Sequence, residues 1–206
     1  GLSIHDKLSY PSFVVPSITP TTYVTSSTSY NWANLPAAPL SITTAPGVNL
    51  HFSNCTLPEG VIYCQGDISL YNCSVSCDIY CDGTVSISNY TNLDGTIYSR
   101  GIVNITNSSI DGNIYSDSTV AFNNGTLSAS VYADGAITMT GAISTGNLYS
   151  SDPITIANST VQEGIIYSST KLLLGGTSET NMTAALFSGG DIEFMGDTNV
   201  SGAMVA

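Results

Sequence analysis

Positive charge is what this chain most plainly lacks. Its 206 residues hold 3 Lys and Arg against 15 Asp and Glu, a formal net charge of −12. Nucleic acid needs a basic footprint for its phosphates, and an anionic membrane surface needs clustered Lys or Arg; the composition excludes both as partners. The cations are Lys7, Arg100 and Lys171, and the histidines are His5 and His51. No apolar run approaches the roughly 20 residues of a membrane-spanning helix. A secretory signal is also missing, and Gly1 opens the chain without Met, which reads as a processed mature form. Polarity is carried by uncharged groups instead: 54 Ser and Thr, and 16 Asn. Such a pattern suits an exposed surface solvated by hydroxyls and amides.

What is present is repetition. An aromatic follows an aliphatic residue at Tyr63, Tyr80, Tyr98, Tyr115, Tyr132, Tyr149, Tyr167 and Phe187, a regular beat along the chain. Shortly after each comes an apolar-x-apolar step, as in Val85/Ile87, Val120/Phe122 and Ile154/Ile156. Asn, Gly and Asp corners separate these steps. Period-2 alternation nested in a period of about 17 predicts an all-β fold: a parallel β-solenoid of about 8–9 coils. A helical array would need apolar spacings of three and four, and the Gly and Asn density opposes it. The array is expected over residues 46–206. Residues 1–45 are rich in Pro, Ser and Thr and show no such beat. They are expected to form an extended arm, lying along its own solenoid or adding a strand to a neighbour. The chain stops at "GAMVA" without a polar capping repeat, so the last coil is expected to be an open template for pairing.

In a solenoid, equivalent positions form columns, and chemistry is sought there. The most regular polar column is Asn54, Asn72, Asn89, Asn107, Asn124 and Asn158, continued by Asn181 and Asn199. With Asn104 these make nine Asn-x-Ser/Thr triplets, about twice the chance number, so N-linked glycans are expected on several of them. A stacked Asn ladder at a corner is the rival explanation, since Asn tolerates left-handed φ. The Tyr column is expected to face outward, as a sheet-stabilising stack or a sticky stripe. All five cysteines fall between Cys55 and Cys81. Equivalent positions one coil apart predict Cys64–Cys81 and Cys55–Cys73 disulfides, leaving Cys77 over. No metal site is expected from the cysteines, and recurring carboxylates such as Asp82, Asp117 and Asp134 read as turn residues rather than calcium ligands. No local exception to the repeat gathers a catalytic constellation, so neither an enzyme nor a cofactor is expected.

The coil "GNIYSDSTVAFNNGTLS" resembles the short-period β-solenoid repeat of bactofilins, over about Val48 to Ala206. That resemblance implies uncapped rods that polymerise end to end. The clustered Cys, the Asn-x-Ser/Thr triplets and the scarcity of Lys and Arg depart from a cytosolic cytoskeletal protein. They look like archaeal extracellular filament subunits. The expected function is therefore a glycosylated extracellular structural subunit whose partners are copies of itself. The alternative is a secreted carbohydrate-binding or carbohydrate-active β-helix, with Leu173 to Ala185 as its cleft-forming insertion. An ice-binding solenoid would want a flat Thr ladder, and the outward positions Ser86, Asn104, Ala121, Thr138 and Leu173 are mixed.

Overall fold

The computed structural model describes residues 13–17, 19–32, 35 and 39–206. Its described residues form strands and turns without a helix, wound into a parallel β-solenoid of about 10 turns with a period of about 18 residues. Three strands per coil enclose the core. The first face stacks the Ile-Tyr strands: Ile97–Ser99 on Ile114–Ser116, then Val131–Ala133, then Leu148–Ser150. The second carries the apolar-x-apolar step, with Val103, Val120, Ile137, Ile154, Leu172 and Ile192 in one register. A third, shorter face aligns Val75, Leu93, Ile110 and Leu127.

Inward positions explain why these residues choose strands. Ile62, Ile79, Ile97, Ile114, Val131, Leu148, Ile166 and Leu186 form one buried column, and Phe52, Leu70, Ile87, Ile105, Phe122, Met139, Ile156 and Leu174 another. Burying each such side chain stabilises the fold by about 1.5–3 kcal/mol. β-branched residues suit the pleat, and the next coil supplies every strand's ladder. The recurring glycine that opens a coil has a steric cause. A Cβ on Gly112 would lie 2.0 Å from the Gly95 carbonyl oxygen, and one on Gly146 would lie 1.9 Å from that of Ala129. Backbones approach too closely there for any side chain.

Described strands of the N-terminal region lie along their own solenoid, one of the two placements considered for the arm. Residues 1–12 of the anticipated arm lie outside the described residues. Beyond them, Thr22–Val24 pairs with Leu40–Thr44, which pairs with Thr56–Cys64; Thr28–Asn31 pairs with Leu50–Ser53. Among the described residues the parallel ladder thus extends back to Thr22 within its own chain. The first coils are longer than the central ones, with Thr22 opposite Ile42 and Thr28 opposite Leu50 against Val103 opposite Val120. Thr22, Thr28 and Thr43 also occupy positions that later coils give to Ile, Val and Tyr. Further upstream, Phe13 lies against the first face several coils along. Its ring meets Tyr80 edge-on at 6.0 Å, and the Arg100 guanidinium sits 4.4 Å over it.

Candidate functional site

Each corner column is built by backbone geometry. Asn54, Asn72, Asn89, Asn107, Asn124 and Asn158 all adopt left-handed φ between 50° and 57°. Elsewhere the column holds Gly141 and Gly196, at φ 64° and 62°, and, one coil before Asn54, Trp32 at φ 52°. Only Gly and Asn enter this region cheaply. The amides also link coils: Asn72 Nδ2 donates to Asn54 Oδ1 at 2.7 Å, and Asn54 Nδ2 to Asn31 Oδ1 at 3.2 Å. Asn181 and Asn199 stand elsewhere, on the third face, where Asn199 Nδ2 donates to Asn181 Oδ1 at 3.1 Å. Asn104 is exposed on the second face between Ser86 and Ala121.

The residue after a corner Asn turns inward and returns a hydrogen bond to the backbone. Cys55 Sγ donates to the Ser53 carbonyl, Cys73 Sγ to Tyr71, Ser108 Oγ to Thr106 and Ser159 Oγ to Ala157. The following residue points outward on a strand, where Ser and Thr are ordinary. At Asn89 this order breaks: Thr91 is buried, its hydroxyl donating to the Ser88 carbonyl at 2.8 Å and accepting from the Cys73 N–H at 3.1 Å.

A second inward column runs Thr44, Cys64, Cys81, Ser99, Ser116, Ala133, Ser150 and Ser168. Ser99 Oγ donates to the Gly83 carbonyl, Ser116 Oγ to Gly101 and Ser150 Oγ to Gly135; Cys64 and Cys81 do the same through sulfur to Val48 and Gly66. The thiols thus occupy hydroxyl positions. In place of the expected Cys64–Cys81 and Cys55–Cys73 disulfides, the structure holds five free, buried thiols. In-register stacking keeps equivalent Cβ atoms about 4.8 Å apart, whereas a disulfide draws them to about 3.8 Å. A hydrogen bond between the Cys64 and Cys81 thiols, then burial, raises the Cys81 pKa. Burial, then the charge of Asp78, pushes Cys77 up to about 12. Thiols held protonated in this way are poor nucleophiles and poor metal ligands.

The tyrosine column is a continuous stack. Centroids lie 4.6 Å apart for Tyr80–Tyr98, 5.0 Å for Tyr98–Tyr115 and Tyr115–Tyr132, and 4.9 Å for Tyr132–Tyr149. Interplanar angles run from 9° to 16°. Since the faces meet one another, only edges and hydroxyls reach solvent, which disfavours the column as a platform for sugar rings. Burial, then the neighbouring Tyr98 and Asp78, pushes Tyr80 up to about 12. Tyr115 and Tyr149 are raised by burial and by adjacent tyrosines.

The carboxylates serve turns. Asp67 Oδ1 accepts from the Thr84 N–H and Asp78 Oδ1 from that of Thr96, both at 2.8 Å. Asp82 accepts from the Tyr63 hydroxyl at 2.8 Å and from Arg100 at 2.9 Å. Among the described residues no group of three or more His, Cys, Asp or Glu is gathered to hold a metal. His51 lies within the ladder between Ser29 and Ser69, its Nδ1 hydrogen-bonded to Ser69 Oγ. Alternation signals this placement: His51 and Ser69 are each flanked by equivalent inward residues. The segment Leu173 to Ala185 extends a strand, Leu172–Thr183, with a bulge between Gly176 and Thr180. No helix among the described residues is long and apolar enough to cross a membrane.

One rung is open. Among the described residues, Ile192–Ser201 and Met204–Val205 each pair on one side alone, with the Leu172–Thr183 and Ala185–Ser188 strands. Phe194, at an inward position, is 49% exposed, and Met204 is 54% exposed. The fold and these columns define a short-period parallel β-solenoid. Comparison with protein-family models, curated proteins and solved structures finds no match.

Proposed function

We propose that this chain is a structural subunit of a glycosylated extracellular filament or cell-surface polymer, assembling end to end by the same stacking that builds its interior. The observation that carries this reading is the in-register parallel ladder from Thr22–Val24 to Met204–Val205, in which side-chain columns serve stacking before anything else. Strand edges template further strands. The rung holding Phe194 and Met204 offers both unpaired backbone and apolar surface to the first coil of a second copy. Uncharged Ser, Thr and Asn on the outer faces suit an exposed extracellular rod and supply acceptors for N-linked glycans.

Electron microscopy of the purified chain over a range of concentrations tests the reading. Filaments with an axial repeat near the length of one solenoid are expected. A double substitution, Phe194→Asp and Met204→Asp, is expected to leave folded single rods. Monodisperse rods from the unsubstituted chain at every concentration would sink the polymer reading.

A further inference from the structure

Among the coils of 17 or 18 residues, the corner gains an extra residue at one place. Tyr71 pairs with Ser88 and Ser74 with Asn92, so the chain spends one more residue between Ser88 and Asn92 than between Tyr71 and Ser74. The next coil returns to the shorter corner, with Thr106 opposite Ser88 and Ser109 opposite Asn92. The extra residue is Tyr90. It makes a second left-handed residue beside Asn89, with φ 61° against 57°. Placing a tyrosine there costs about 1–2 kcal/mol, and its side chain, 75% exposed, gains little packing to offset that cost. A strained, exposed aromatic is grounds for seeking a function.

Asn107 is its neighbour on the next coil: the Tyr90 N–H donates to the Asn107 carbonyl at 2.7 Å. Tyr90, Asn107, Ser109, Asn124 and the bare Gly125 line one surface hollow. The Asn107 side chain is exposed and its amide free, whereas those of Asn54 and Asn72 are tied into the ladder. Asn107, Ser108 and Ser109 make an Asn-x-Ser triplet whose hydroxyl stands outside the core.

We propose that Asn107 is the glycan-bearing asparagine of this corner and that Tyr90 is the platform for its first sugar; the proposal rests on the glycoprotein reading above. The donor class is a polyprenyl-diphosphate-linked oligosaccharide. The bond from sugar C1 to the diphosphate oxygen breaks, a C1–Nδ2 bond forms, and the amide gives up one of its two protons as the lipid diphosphate leaves. A pyranose presents a face of C–H bonds, which packs against the electron-rich face of an aromatic ring. Asn124 sits one coil further on, about 4.8 Å away, too close for a second branched glycan in the same hollow. Asn89 carries none, because the hydroxyl of its triplet, Thr91, is buried and bonded on both sides.

The test is secretion of the whole chain from a eukaryotic host that performs N-glycosylation, followed by intact mass and glycopeptide mapping. A glycan on Asn107 is expected, with Asn89 bare and Asn124 not filled on the same molecule. Ser109→Ala, which leaves the corner residue in place, should remove one glycan's mass. Tyr90→Ala should keep the glycan but expose it, so that a peptide-N-glycosidase releases it from the native protein roughly two- to tenfold faster, the rate equivalent of one aromatic contact. Glycans on other triplets with Asn107 bare, or with Asn89 filled, overturn this assignment and leave the glycoprotein reading standing. Absence of glycan from all nine triplets overturns both. An unchanged release rate in Tyr90→Ala overturns the role of the ring.

Discussion

At the scale of single residues, the Asn corner shows how a fold can write a motif that looks like a modification signal. Left-handed φ selects Asn, the inward turn of the next residue selects a small hydroxyl or thiol, and the outward strand position after it favours Ser or Thr. Together they spell Asn-x-Ser/Thr without any glycan. The sequence made the Asn column legible but could not separate these causes, because φ and side-chain direction are not visible in a string. Asn104, Asn181 and Asn199 stand outside that corner, so the fold gives them no backbone reason to be Asn. A direct check of the conformational role uses Asn124, exposed and at φ 54°. Asn124→Gly should change stability by no more than a few tenths of a kcal/mol, as Gly141 already fills the next coil's corner. Asn124→Val should cost about 1–2 kcal/mol through the left-handed penalty. Denaturant unfolding of the two variants measures the difference, and equal costs would show that φ is not what Asn supplies there.

At the scale of the element, the tyrosine stack belongs to the first face and carries its own pH dependence. Burial and neighbouring tyrosines raise the pKa of Tyr80, Tyr115 and Tyr149, Tyr80 to about 12. The unfolded value is near 10, so the folded chain holds these protons where the unfolded chain releases them. Their stabilising contribution is complete below about pH 10 and is lost as pH rises toward about 12. Unfolding midpoints should therefore fall over that window, with phenolate absorbance appearing as the face melts. Tyr115→Leu, which removes two ring contacts of about 0.5–1.5 kcal/mol each, should lower stability and blunt the alkaline loss. A midpoint flat across that whole window would contradict the assignment. The stack was readable in sequence because every coil repeats its aliphatic-aromatic pair. The first coils were not readable. Thr22, Thr28 and Thr43 replace the expected apolar or aromatic residues, which leaves the spacings of 20 and 22 residues there without the aliphatic-aromatic pair that marks the beat elsewhere. The thiols were legible as stacked pairs but not as hydroxyl substitutes, because that role depends on the carbonyl each sulfur meets.

For the whole molecule, stacking makes stability nearly one-dimensional, each coil contacting only its neighbours. Position along the axis then sets what a core substitution does. Phe122 is buried between Ile105 and Met139 at the middle of the rod. Phe194 occupies the equivalent inward column but has Leu174 on one side only and is 49% exposed. Phe122→Ala should cost about 3–5 kcal/mol and split the rod's hydrogen-exchange protection into two segments. Phe194→Ala in an isolated rod should cost less than about half as much, since half of its surface is already in water. If the Phe194 rung receives a second copy, the order reverses for assembly: Phe194→Ala raises the concentration at which filaments form, while Phe122→Ala rods that remain folded still polymerise. Hydrogen exchange on single rods and sedimentation across concentration separate the two effects. Filaments forming equally well with Phe194→Ala and with the aspartate pair would place the contact between subunits elsewhere on the molecule.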